Sequence, residues 1–85
     1  MSYHFMDNEY MGIAQRLRVA IAIDGVSQED VAKLSGISQG TISRIASGKG
    51  DVMYSSIEQL ENTFPTFRRL QIEHLQKKME TTHAA

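Results

Sequence analysis

An all-α fold of five helices is what this 85-residue sequence predicts, and three observations predict it. Apolar residues recur at helical spacing, and no segment reads as a strand. Serines stand before the expected helix starts, and glycine or proline stands at the expected stops. The densest pattern lies between Gln28 and Ser47, which reads as two short helices joined by a tight turn. There Val31, Leu34, Ile37, Ile42 and Ile45 fall where such a pair would bury them. Ala32 stands where the helices must approach closely, and Gly36 where the chain must turn sharply.

The other elements follow in order. Residues 1–9 read as a mobile arm. From Tyr10 to about Asp24, Ile13, Leu17, Ala20 and Ile21 mark a first amphipathic helix, which Asp24-Gly25 ends by turn chemistry. Ser27 caps the second helix, with Asp30 completing an approximate capping box. The acids Glu29 and Asp30 suit the positive end of that helix dipole, so their placement needs no functional explanation. Ser38 caps a third helix running to about Ala46, and Ser47-Gly48-Lys49-Gly50 is a loop. Ser55-Ser56-Ile57-Glu58 has the form of a capping box opening a fourth helix, with Ile57, Leu60 and Phe64 on one face. Pro65 cannot continue that helix but suits the first turn of another, where its missing N–H is not needed. The fifth helix is expected from Thr66 to about Glu80, with Phe67, Leu70, Ile72, Leu75 and Met79 as a broad apolar stripe. Residues 81–85 are expected to fray.

Composition bounds the function. Eighty-five residues make one small domain with a thin margin of stability. There is no cysteine, so neither disulfides nor a thiolate zinc site add to it. His4, His74 and His83 are too scattered to hold a metal, and no cofactor is expected. A dimer is the expected source of extra stability. No apolar run approaches the roughly 20 residues that span a bilayer. The polar, acidic start MSYHFMDNEYMG does not read as a secretory signal, so a cytoplasmic location is expected. Catalysis is not expected either, since no phosphate loop, nucleophile motif or carboxylate pair stands out.

The pattern of residues 28–47 is that of a helix-turn-helix, whose second helix lies in the DNA major groove with its N-terminal residues on base edges. The net charge of −1 is unusual for such a role, where a basic footprint is the norm. Distribution softens the objection. Between residues 27 and 50, Lys33, Arg44 and Lys49 stand against Glu29 and Asp30, while Asp7, Glu9, Glu58, Glu61, Glu73 and Glu80 lie elsewhere. Weak non-specific affinity is the expectation.

Residues 11 to about 64 resemble the lambda-repressor/Cro-like (XRE-type) helix-turn-helix domains. The resemblance rests on Gln28, Glu29, Val31, Ala32, Gly36, Ile37, Gln39, Ile42, Ile45 and Ser47-Gly48-Lys49. It implies that Ser38, Gln39, Gly40 and Arg44 read bases, and that Ser27, Gln28, Ser47 and Lys49 hold phosphates. The chemistry agrees: Gln39 suits adenine and Arg44 suits the O6 and N7 of guanine, each bidentately. Thr41 and Ser43 are short polar groups for bases or phosphates. The N-termini of the second helix, and of the fourth near Tyr54 and Ser55, offer backbone donors to phosphates. Gly40 costs roughly 1 kcal/mol against alanine inside a helix. Its functional reading is close approach to the groove beside a thymine methyl; its bland reading is a tolerated surface glycine.

Two departures stand out. Where many relatives pair an arginine of the first helix with a glutamate late in the third, this chain is expected to place Ile21 and Ala46. Where many have a basic loop after the third helix, this chain has Asp51.

The resulting division is an arm (1–9), a DNA-binding domain (10–64), a C-terminal helix (65–80) and a tail (81–85). The expected function is a transcriptional regulator, a repressor binding a pseudo-palindromic double-stranded operator as a homodimer. Phe67, Leu70, Ile72, Leu75 and Met79 are the candidate dimer interface, with Phe64 and Phe67 read as core or dimer contacts rather than base-stacking groups. Arg68-Arg69 and Lys77-Lys78 read as a solvated helix face rather than an extension of the DNA contact. Tyr3, His4, Phe5 and Met6 form an apolar patch whose use the sequence leaves open. The alternative from another class is a protein-interaction adaptor that keeps the fold and binds a protein partner.

Overall fold

The structure is a computed structural model that describes residues 12–84, with side chains described through residue 80. The arm (1–9), its apolar patch and the expected helix start at Tyr10 lie outside the described residues, as do the side chains of the tail (81–85). Among the described residues five helices follow one another: α1 (Ile13–Asp24), α2 (Gln28–Ser35), α3 (Gln39–Ser47), α4 (Tyr54–Thr63) and α5 (Pro65–Ala84). No strand occurs among the described residues, and the fold is all-α.

One core holds all five helices together. Leu17 and Ala20 of α1, Val31 of α2, Ile42, Ile45 and Ala46 of α3, Ile57 and Leu60 of α4, Phe64 and Phe67 are its buried members. Ile13, Ile21, Val26, Ala32, Ile37, Val52 and Leu70 pack around them, half-buried. Full burial of aliphatic and aromatic side chains of this kind contributes roughly 1.5–3 kcal/mol each. The helix-turn-helix is therefore held from behind by α1, α4 and α5.

Several expectations need correction. α1 begins at Ile13, after an extended Gly12 that serves as its N-cap without a side-chain bond. Leu34 is 53% exposed instead of buried. The inward place at the end of α2 belongs to Ser35, whose Oγ accepts the Ile37 N–H and whose carbonyl accepts Gln59 Nε2. α4 starts at Tyr54 after Met53, so Ser55 and Ser56 lie inside the helix and no side chain caps it. α5 runs on to Ala84, because neither glycine nor proline follows Glu80.

Phe67, a core or dimer contact by its sequence and a candidate for the dimer interface, belongs to the core. Its side chain is 0% exposed, sealed beside Phe64 in the core, and Leu70 packs half-buried against the same core. The α4–α5 junction turns at Phe64-Pro65, which brings the first two turns of α5 back onto α1 and α4. Thr66 Oγ1 donates to Asp24 Oδ1 at 2.7 Å, and farther along Arg16 Nε donates to the Gln71 side-chain oxygen. α1 and α5 thus run antiparallel. Gln71 Nε2 also donates to Glu61 Oε2 at 2.8 Å, so one relay of side chains ties α1, α5 and α4. Burial holds the Arg16 guanidinium below its usual pKa, and the nearby Glu61 carboxylate opposes that shift.

Candidate nucleic-acid interface

The site is built from two helix starts and one face. At α2, Ser27 and Asp30 form a reciprocal capping box: Ser27 Oγ accepts the Asp30 N–H at 3.0 Å, and Asp30 Oδ2 accepts the Ser27 N–H at 2.9 Å. Those hydrogen bonds, the backbone one first, hold the exposed Asp30 carboxyl below its usual pKa. The cap explains both residues structurally. It also fixes Gln28, the first residue of α2, at the helix end whose dipole favours an anion.

The turn into α3 depends on Gly36, which closes α2 with φ 77° while its N–H reaches the Ala32 carbonyl. An L side chain is strained in this left-handed region. Ser38 then caps α3: its Oγ accepts the Thr41 N–H at 3.2 Å and donates to Thr41 Oγ1 at 2.9 Å. The Ser38 proton is spent within the cap. Thr41, half-buried, accepts that bond at its hydroxyl oxygen.

Helical spacing sorts the rest of α3. Ile42, Ile45 and Ala46 point into the core, and Gln39, Gly40, Ser43, Arg44 and Ser47 share the opposite, exposed face. Around Gly40 there is open space, with no atom within 4 Å of where a Cβ would stand. Ser47 Oγ donates back to the Arg44 carbonyl at 2.9 Å, so its hydroxyl proton is engaged within the helix. Lys49 follows, exposed, in the loop after the Gly48 C-cap. At α4 the missing side-chain cap leaves the first-turn backbone donors near Tyr54 and Ser55 facing outward, beside a Tyr54 ring that is 79% exposed. Lys33, which the sequence counts toward the positive excess, lies 4.0 Å from Glu29 in an exposed pair of little energetic weight.

The sequence reading missed one contact of this site. Where this chain places Ile21 and Ala46 instead of an ion pair, Arg18 of α1 also reaches across and donates to the Ala46 carbonyl. A cation thus sits at the negative end of the α3 dipole and satisfies one of its last carbonyls. Nothing in the linear sequence distinguishes Arg18 from any other exposed arginine.

A family profile described as helix-turn-helix matches residues 24–66, half of the chain. The chain belongs to this family, the lambda-repressor (XRE) type of helix-turn-helix. No curated protein and no solved structure matches it. The family is one of DNA-binding transcription regulators, and the matched span of this helix-turn-helix protein contains all of α2, α3 and α4. All of α1 but Asp24, and most of α5, which supply Leu17, Ala20 and Phe67 to the core, lie outside it. None of the described helices is long and apolar enough to cross a membrane.

Proposed function

We propose that this protein is a sequence-specific transcription regulator, a cytoplasmic repressor that occupies a pseudo-palindromic operator as a homodimer and blocks polymerase sterically. The observation that carries the reading is the exposed face of α3. Gln39, Ser43 and Arg44 present bidentate or short polar groups on one side of a helix whose other side is anchored in the core. That is what base edges in a major groove require, and it contrasts with the aromatic or aliphatic anchors of a protein-binding face. Gln39 reads adenine and Arg44 guanine. Gly40 gives the helix close approach to a thymine methyl, and Thr41 and Ser43 contact neighbouring bases or phosphates. Ser38 places the helix start through its cap.

Phosphates are held around this face. Ser27 and Gln28 present the start of α2, Ser47 and Lys49 follow α3, and Tyr54 and Ser55 present the uncapped start of α4. With a net charge of −1 the protein relies on few cations, so its non-specific affinity is low and its specific contacts matter more. The test is selection of bound duplexes from a random library. Enrichment of a two-fold-symmetric consensus supports the reading. No enrichment at low salt from folded protein contradicts it and turns attention to a protein partner.

A further inference from the structure

An open groove of about 490 Å³ lies between α1, the end of α4 and α5. Its volume falls in the range of small-molecule sites, roughly 300–1,000 Å³. Arg16, Glu61, Arg68, Gln71 and His74 line it, and no lining residue belongs to the proposed DNA face. Arg16 is 6% exposed, a depth of burial that arginine seldom reaches. Gln71 fixes it in the wall, accepting from Arg16 Nε and donating to Glu61 Oε2. Arg68 is exposed, and its side chain makes no hydrogen bond or ion pair among the described residues. Burial, and then the cations Arg16 and Lys78, hold the His74 pKa below its ordinary value, so its imidazole is neutral near neutral pH. The ionised groups of the lining are therefore two guanidiniums and one carboxylate, a single net positive charge. Ile72 and Leu75 add exposed aliphatic surface to it.

We infer that this groove binds an aliphatic monocarboxylate, a small organic acid with its carboxylate on Arg68 and its alkyl tail on Ile72 and Leu75. The charge of the lining selects the head group. A guanidinium meets a carboxylate through two parallel hydrogen bonds. One net positive charge balances one negative charge, and Glu61 repels the second charge of a dianion. The two arginines repel an ammonium group. Ile72 and Leu75, three residues apart on one face of α5, form a track for the tail. A nucleobase would need a ring to stack on, and among the described residues no phenyl, phenol or indole lines the groove. The inference stands apart from the operator reading, because it uses none of the residues assigned to DNA. It gives a one-domain regulator a place for an effector.

The test uses octanoate as the probe, with octanol and sulfate as controls, and follows the amide chemical shifts of the full chain. Ile72 and Leu75 also belong to the candidate dimer surface, so the titration is run where sedimentation shows a single species. Octanoate is expected to give saturable shifts centred on Asn62, Gln71 and His74, and the two controls to leave those residues unmoved. Arg68→Glu, at an exposed position, reverses the net charge of the lining. It is expected to weaken octanoate about tenfold or more, with circular dichroism unchanged. Glu61→Gln keeps an acceptor for Gln71 and is expected to admit sulfate. An equal response to octanol would reduce the effect to apolar adsorption and overturn the inference. So would shifts centred elsewhere, an octanoate affinity indifferent to Arg68→Glu, or a Glu61→Gln protein that still excludes sulfate.

Discussion

Ser38 accepts the backbone N–H of Thr41 and donates its own proton to the Thr41 hydroxyl. One residue of the turn before α3 is thereby committed to starting the helix. Removing the cap by Ser38→Ala is expected to lower stability by about 1 kcal/mol. Urea unfolding of the two proteins checks this, and equal midpoints would show that the cap bond is not made in solution.

Gly40 separates stability from recognition. A Cβ there meets nothing within 4 Å, and Gly40 is not among the glycines with positive φ. Gly40→Ala is therefore expected to stabilise the fold, by up to about 1 kcal/mol, because alanine loses less backbone freedom in a helix. On the proposed reading the same methyl holds α3 away from the groove and lowers operator affinity about tenfold, roughly 1.4 kcal/mol. Thermal unfolding and DNA titration on the same preparation check both halves. A stabilised variant with undiminished affinity would make Gly40 an ordinary surface residue.

Phe67 and Leu34 have exchanged the roles that the sequence suggests for them. Phe67→Ala empties a sealed core position and is expected to cost about 3–5 kcal/mol. Leu34→Ala changes a half-exposed side chain and is expected to cost well under half as much. Denaturant unfolding at one protein concentration ranks the two, and a reversed order would contradict the packing described.

That exchange shows what the sequence discloses and what it withholds. The five helices, the Ser27–Asp30 box, the Ser38 cap and the turn at Gly36 were legible because each depends on residues within four positions of one another. The sorting of α3 into Ile42 and Ile45 against Gln39 and Arg44 was legible for the same reason. Phe67 was not. Whether an apolar residue of α5 faces α1 or solvent depends on the angle at Phe64-Pro65, a tertiary fact. The same holds for Ser35 displacing Leu34 and for Arg18 reaching the Ala46 carbonyl from 28 residues away. The fourth helix start was misplaced because two serines imitate a cap that Met53 supplies by backbone alone.

His74 adds a pH dependence. Burial against α1 lowers its pKa below the ordinary value, and the cationic Arg16 and Lys78 lower it further. The folded state thus binds its proton less readily than the unfolded chain, whose histidine titrates near about 6.5. The stabilising contribution is complete above that value and is lost as pH falls through the lower folded pKa. Stability is expected to decline as pH falls below that unfolded value, and His74→Gln to flatten that decline in denaturant unfolding. An unchanged slope in the variant would exclude His74 as its source.

On the proposed reading, α3 reads sequence through Gln39 and Arg44 while residues such as Lys49 hold the backbone. Titrating wild type, Gln39→Ala, Arg44→Ala and Lys49→Ala against the selected operator and a scrambled duplex, at several salt concentrations, tests it most directly. Each base-reading variant is expected to lose about 1–3 kcal/mol on the operator, and to keep its weak affinity for scrambled DNA. Lys49→Ala should weaken both duplexes alike and reduce the salt slope by about 1. Gln39→Ala and Arg44→Ala proteins that bind the operator as tightly as wild type would contradict that reading.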